Sequence, residues 1–175
     1  MKIPLVSLCL LILSAMPAVG CGGPAGPERH GTIVTAMEGM EDLSTWNCLL
    51  ELADMSQPLS ATAGPVTVFA PNDDAFDLLP AGVLEELQRP ENHATLVAVI
   101  ENHLVRDDLT TARFPTVGAV RTLAGQRIPI RYGAACWWYD DARVIRPNWK
   151  HTENGIVHVV NRVLWPTPDM TRELP

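Results

Sequence analysis

Apolar positions recur along this chain at two periods, and the change from one to the other divides it. In the first part Trp46, Leu49, Leu50 and Ala53 stand at i, i+3, i+4 and i+7, which is one face of an amphipathic helix. Asp42 or Ser44 stands where its cap belongs. Residues 32–40 read as a short helix or turn ahead of it, and residues 56–65, rich in Ser, Thr, Pro and Gly, read as a loop. Residues 66–70 form an apolar run that predicts a short buried strand stopped by Pro71. Asn72 then caps a helix with Asp73 and Asp74 in its first turn, where negative charge favours the positive end of the helix dipole. A further helix over 83–88 lies between the Pro80-Ala81-Gly82 turn and Pro90. A stronger one over 92–104 puts Leu96, Val99, Ile100 and His103 on one face. Thr110 or Thr111 caps one more turn before Pro115.

From Val120 the period is two. Arg127, Ile128, Ile130 and Tyr132 belong to one strand, in which Pro129 marks an edge or a bulge. Further strands are predicted over 136–139, 143–145 and 156–160, with a last piece over 162–165. In the 156–160 strand Val157 and Val159 face one side, and Ile156, His158 and Val160 the other, so both faces are expected to be buried. Helices first and strands later predict an α+β fold with an antiparallel sheet, not alternating βαβ units. No internal repeat is present.

The N-terminus has a different pattern. Lys2 is followed by an almost wholly apolar stretch over 3–15 and by small residues ahead of Cys21. This is the layout of a secretory signal peptide, too short to span a bilayer comfortably. Ala18-Val19-Gly20-Cys21 also resembles a bacterial lipobox, with Ala18 where Leu is usual. In lipoproteins that Cys becomes the first residue and its sulfur is acylated. Residues 1–20 are therefore read as a signal peptide of lipoprotein type and 21–31 as a flexible linker, opened by Gly22-Gly23-Pro24-Ala25-Gly26-Pro27. Residues 32–166 are read as the domain and 167–175 as a loose tail. The expected destination is a membrane, held through a lipid on Cys21 and facing the periplasm or cell exterior; a soluble secreted protein is the alternative. Export makes disulfides possible. With Cys9 removed and Cys21 acylated, Cys48 and Cys136 remain, either bridged or, as expected here, two free thiols buried separately as small hydrophobes.

Composition narrows the class. The 175 residues have room for one domain, and 47% hydrophobic with 19% charged residues is globular. Serine is scarce in the domain and no G-x-S-x-G elbow occurs. His30, His93, His103, His151 and His158 include no i, i+4 pair and no H-E-x-x-H. His103 and His158 read as core histidines fixed by hydrogen bonds, not as ligands. Asp73-Asp74 and Asp107-Asp108 lack the calcium-loop spacing. No cofactor, metal or catalytic residue is expected.

Two segments resemble one family. Thr67-Val68-Phe69-Ala70-Pro71-Asn72-Asp73-Asp74-Ala75-Phe76 resembles the first signature of fasciclin (FAS1) domains, a strand running into a capped helix. Asn154-Gly155-Ile156-Val157-His158-Val159-Val160-Asn161-Arg162-Val163-Leu164-Trp165-Pro166 resembles the second, a turn feeding the penultimate strand. Between them Asn102-His103-Leu104-Val105 is similar to the family's central Tyr-His motif, with Asn102 in place of Tyr. The resemblance implies a wedge-shaped β-sandwich-like core with helices packed at one side. It also implies an adhesion module without a catalytic centre, in which Phe69, Pro71, Asn72, Phe76, His103, Asn154, Gly155 and His158 are structural positions. The motif chemistry agrees, since Asn154-Gly155 suits a tight left-handed turn.

Charge is split along the chain. Between residues 28 and 108 there are 15 acids and 3 basic residues; between 109 and 162 there are 8 basic residues and 3 acids. The basic half also holds the adjacent Trp137 and Trp138, which point to opposite faces of a strand. Arg131, Trp137, Trp138, Arg143 and Arg146 are the candidate binding residues, suited to a protein or an anionic polysaccharide. The alternatives are internal charge balance with both Trp rings buried and, for the domain as a whole, carriage of a small apolar ligand between helices and sheet. An export signal and a net charge of −7 disfavour nucleic acid.

Overall fold

The computed structural model describes residues 31–61 and 64–166. The expected leader, Cys21, the linker up to residue 30 and the tail beyond Pro166 lie outside the described residues.

Helix α1 (Ile33–Glu38) opens on a capping box, in which Thr32 and Thr35 satisfy each other's backbone N–H groups. After a 3-10 turn (Glu41–Leu43) comes α2 (Ser44–Leu52), with Trp46, Leu49 and Leu50 buried as their spacing predicts. Neither Asp42 nor Ser44 caps it. The cap comes from Asp73, 28 residues on, whose carboxylate accepts from the Thr45 N–H at 2.8 Å and the Ser44 hydroxyl at 2.8 Å. Partial burial alone would raise the Asp73 pKa, but these hydrogen bonds outweigh it and hold the carboxyl below its usual range.

The stretch expected to be a loop contains a helix, α3 (Ser56–Ala61). Pro58 sits in its first turn, where backbone N–H groups have no intrahelical partner, so the proline does not oppose it. The same logic corrects Pro115, which lies in the first turn of α7 (Phe114–Val117) instead of ending an earlier turn. Strand β1 (Val66–Pro71) runs into α4 (Asp73–Asp77) through Asn72. Asn72 holds the cap position, but its amide bonds the Asp74 carboxylate at 3.1 Å and no side-chain cap bond forms. Then come α5 (Val83–Leu87), a 3-10 turn (Pro90–Asn92) and α6 (His93–Asn102). The latter ends two residues earlier than expected because Leu104 and Val105 form β2 (Leu104–Val105).

The remaining strands are β3 (Ala119–Arg121), β4 (Arg127–Gly133), β5 (Cys136–Tyr139), β6 (Ala142–Thr152) and β7 (Gly155–Val160). The 162–165 piece is not a strand. One sheet orders them β2-β1-β7-β6-β5-β4-β3. The expected antiparallel sheet is in fact mixed, since β1 and β7 run parallel, from Val66 opposite Gly155 to Pro71 opposite Val160. Their unbroken apolar runs fit that placement, because each strand is buried on both faces. Strand β4 is interior, so Pro129 marks neither an edge nor a bulge. It lies just beyond the β4–β5 ladder, which begins at Ile130, and its carbonyl accepts from the Asp140 N–H of the turn. No ladder bond needs its missing N–H.

The two edge strands approach each other. Val105 bridges Thr122, and the Leu123 N–H donates to the Leu104 carbonyl at 2.8 Å. The sheet is thereby nearly closed, and two cores result. Outside the curl, Trp46, Leu49, Leu50, Leu96, Val99 and Ile100 pack with Val66, Val68, Val157 and Val159. Inside it, Phe69, Phe114, Ile128, Ile130, Tyr139 and Val160 pack together. The Phe69 and Tyr139 rings stack with centroids 3.8 Å apart. The α+β fold class holds, with most helices collected on one side of the sheet. Phe76 and Val159 are 5% and 0% exposed. Their truncation to Ala should cost about 3–5 and about 1–3 kcal/mol respectively, read as lowered denaturation midpoints. Wild-type midpoints for both would misplace the core.

Candidate functional site

Four basic residues of the second half, Arg121, Arg127, Arg131 and Arg143, share the outward face of the curled sheet. Residues directly opposite one another in a ladder share a face. Arg131 lies opposite Trp138, and Trp138 opposite Arg143, so β4, β5 and β6 set an aromatic ring between two arginines in one row. Alternation places Arg127 on the Arg131 face of β4, and Arg121 lies opposite Arg127. The other face is identified by its burial, since Ile128, Ile130, Tyr139 and Val144 all point into the inner core.

All four arginines are exposed while Trp138 is half-buried. The Trp138 indole N–H donates to the Gly133 carbonyl at 3.1 Å, which fixes the ring over the β4–β5 turn. Arg131 donates to the Asp140 backbone carbonyl at 2.9 Å. Among the described residues no carboxylate pairs with Arg121, Arg127, Arg131 or Arg143; the ion pairs of this half use Arg113, Arg146, His151 and Arg162. Beside Trp138 an open notch of about 390 Å³ is lined by Arg131, Tyr132, Gly133 and Trp138.

Two expected members stand apart. Trp137 points inward, edge-on to Phe114 at 5.2 Å and packed on the inner core. Arg146 makes a two-pronged pair with Asp42 at 2.8 and 3.1 Å, tying β6 to the acidic half. At Arg146, as at Arg113 with Asp107, the charge split is internal balance. Arg121 and Arg127 escaped sequence reasoning. The alternation of β4 could have exposed Arg127, but Arg121 needed the β3–β4 register.

Asn102, His103 and His158 of the motif segments bond mainly to the backbone. His103 and His158 are fully buried. His103 Nδ1–H donates to the Val99 carbonyl at 2.8 Å and Nε2 accepts from the Leu164 N–H at 3.0 Å. His158 Nε2–H donates to the Leu109 carbonyl at 2.8 Å and Nδ1 accepts from the Asn148 N–H at 2.9 Å. Asn102 bonds the Leu164 carbonyl and the Thr122 hydroxyl. The space between helices and sheet, where an apolar cargo would lie, is occupied by Trp46, Leu50, Leu96 and Ile100. Cys48 is exposed and Cys136 half-buried, both as free thiols, so neither is the buried hydrophobe expected. No helix among the described residues is long and apolar enough to cross a membrane.

Comparison with known proteins places this geometry in context. A family model described as Fasciclin domain matches residues 41–166. Protein sll1483 of Synechocystis is 38% identical over 142 residues, covering 81% of this chain and 77% of its own length. Human periostin is 28% identical over 131 residues, 74% of this chain but 15% of periostin. Among solved structures, a FAS1 domain pair from the insect cell adhesion molecule fasciclin I shares the fold. Its TM-score is 0.59 at 20% identity, over 78% of this chain and 51% of that one. The family match extends from the first 3-10 turn to the last buried residues after β7, and by it this chain belongs to the fasciclin-domain (FAS1) family.

Proposed function

We propose that this protein is an exported, lipid-anchored interaction module that holds an anionic partner at the cell surface or in the periplasm through its basic sheet face. The observation that carries the reading is the set of four exposed arginines on the same sheet face as Trp138, none neutralised by a carboxylate of the described chain. Leaving four like charges unpaired on one face disfavours the free protein slightly and favours a partner that neutralises them. Arginine suits the task, because its planar guanidinium makes paired hydrogen bonds to carboxylate, sulfate or phosphate and stacks on aromatic rings. The adhesion role named for insect fasciclin I supports the same class of activity. The leader and Cys21 support export and anchoring, with the Gly- and Pro-rich linker as spacer.

The test uses the full chain expressed in a bacterial host. Cys21→Ser should move it from the membrane to the soluble fraction, and an unmodified Cys21 in membrane-associated protein would remove the anchor. The soluble form should adhere to isolated cell envelopes, less so as salt rises, because exposed charges are screened beyond about 8 Å at physiological ionic strength. Arg131→Glu with Arg143→Glu should abolish adhesion without unfolding, while Glu85→Lys with Glu91→Lys should not. The opposite outcome would assign binding to the acidic helices.

A further inference from the structure

The notch beside Trp138 carries a more specific assignment, which rests on the basic-face reading. We infer that Arg131, Tyr132, Gly133, Trp138 and Arg143 form a sugar-binding subsite for an acidic polysaccharide, one bearing carboxylate or sulfate on its rings.

Three features argue for a sugar chain. The first is the fixed ring. With its N–H bound to the Gly133 carbonyl, Trp138 offers carbon surface in a set orientation, with little rotamer freedom left to lose on binding. The weakly polarised C–H face of a pyranose packs on such a ring. The second is spacing. Arg131 and Arg143 flank Trp138 from the two neighbouring strands, which places their backbones about 10 Å apart. A ring stacked on Trp138 would therefore carry charged substituents, its own or its neighbours', toward a guanidinium on either side. Arg127 and Arg121 continue the basic track about 13 Å along β4, so a polymer gains contacts that a single sugar cannot. The third is size. A notch of about 390 Å³ lies at the small end of ligand sites, which span roughly 300–1,000 Å³, and it is open enough for a chain to enter and leave.

Among the described residues the surface lacks what a protein partner or a bilayer would need. The large apolar side chains exposed on the described chain are Leu52, Leu78 and Tyr132, and they lie on α2, after α4 and on β4. Among the described residues they form no contiguous apolar patch to supply an interface core. The β4–β5 turn presents only Ala134 and Ala135 at its tip, both with left-handed backbone at φ 52° and 61°. Two methyl groups bury too little area to insert a hairpin into lipid. An acidic glycan asks for one ring and several cations, and the face provides both.

The test measures binding of the soluble Cys21→Ser protein to polygalacturonate, dextran sulfate, neutral dextran and phosphatidylglycerol vesicles at two salt concentrations. Wild type should bind one or both acidic polysaccharides and not neutral dextran. Trp138→Leu should weaken that binding about five- to tenfold with an unchanged salt dependence. Trp138→Phe, which keeps a platform, should retain most of it and controls for folding. Arg131→Gln with Arg143→Gln should weaken it about tenfold or more and flatten the salt dependence. Equal binding by wild type and Trp138→Leu would overturn the subsite while leaving the basic face intact as a plain electrostatic contact. Binding to the vesicles but to neither polysaccharide would overturn the ligand class. Envelope adhesion that survives the arginine pair would remove the face itself and this subsite with it.

Discussion

Gly155→Ala is expected to destabilise the domain by about 3 kcal/mol or to prevent folding. Gly155 opens β7 and lies opposite Val66 of β1. A methyl group there would overlap the Val66 carbonyl oxygen and come within 2.7 Å of the Ile33 Cδ1. The first obstacle is backbone in a buried parallel pair, so it cannot yield as a flexible side chain would. Overpacking of this kind costs about 1–3 kcal/mol, and each ladder bond lost in relieving it adds about 1 kcal/mol. The corner has no slack to share. Asn154, one residue earlier, accepts from the Ile33 N–H at 2.9 Å, donates to the Leu59 carbonyl at 2.7 Å and receives the Val66 N–H on its own carbonyl at 2.9 Å. Moving Gly155 thus disturbs α1, α3 and β1 together. Gly64→Ala, with open space around its Cβ position, is the control and should be near neutral. A Gly155→Ala midpoint in urea equal to wild type would show that β1 and β7 can separate at this end without loss.

The same corner shows why the second signature was legible. Asn154-Gly155 ahead of a six-residue apolar strand states a turn, which is local information. The left-handed backbone expected there is absent: Gly155 is near-extended at φ 159°, and glycine is required by the Val66 carbonyl instead. The helical stripe of Trp46, Leu49 and Leu50 is local information too. What could not be read locally is what the strands pair with. The β1–β7 pair brings residues about 90 apart into parallel register, and nothing in either segment says parallel except unbroken burial. The cap of α2 was missed for the same reason, because Asp73 approaches from another helix while Asp42 and Ser44 are the neighbours a local search finds. Pro58 and Pro115 misled by identity alone; in a first helical turn proline is compatible with the helix.

The basic face proposed for binding was legible in part. Charge counting isolated the half that holds its arginines, and strand alternation separated Trp137 from Trp138. Grouping arginines by nearness in sequence put Arg146 with Arg143. Between them β6 shifts register, with Val144 opposite Val160 but Arg146 opposite Val159, and Arg146 reaches Asp42 instead. Register also united Arg121 and Arg127, which lie in different strands and gave no common signal.

Stability is expected to fall steeply as pH drops from about 6.5 to about 4, chiefly because of His103 and His158. Burial pushes both imidazoles from 6.5 down to about 4, against a smaller opposing effect of their hydrogen bonds to the Val99 and Leu109 carbonyls. The geometry gives the same answer. In each ring one nitrogen accepts a backbone N–H, from Leu164 or Asn148, and a proton there would set donor against donor. The surroundings offer a cation little charge compensation, since Trp46 lies 5.1 Å from His103 and Phe69 and Phe114 each lie 5.1 Å from His158. The folded-state pKa lies below the unfolded one, so between these two values the unfolded chain binds protons that the folded chain refuses. The stabilisation is therefore complete above about pH 6.5, declines through the window and is gone below about 4. A depression of this size corresponds to about 3 kcal/mol per histidine. Asp73 acts in the same direction at lower pH, since its carboxyl is held below its usual range and its contribution fades as it protonates. Denaturation midpoints measured from pH 7 to 4 should show the slope. His103→Gln and His158→Gln should each lower stability at pH 7 and each remove about half of that slope, a change that lost packing alone would not produce. If both variants kept the wild-type slope, the proton uptake would have to come from other groups, and the two buried imidazoles would not be the acid-sensitive points of the fold.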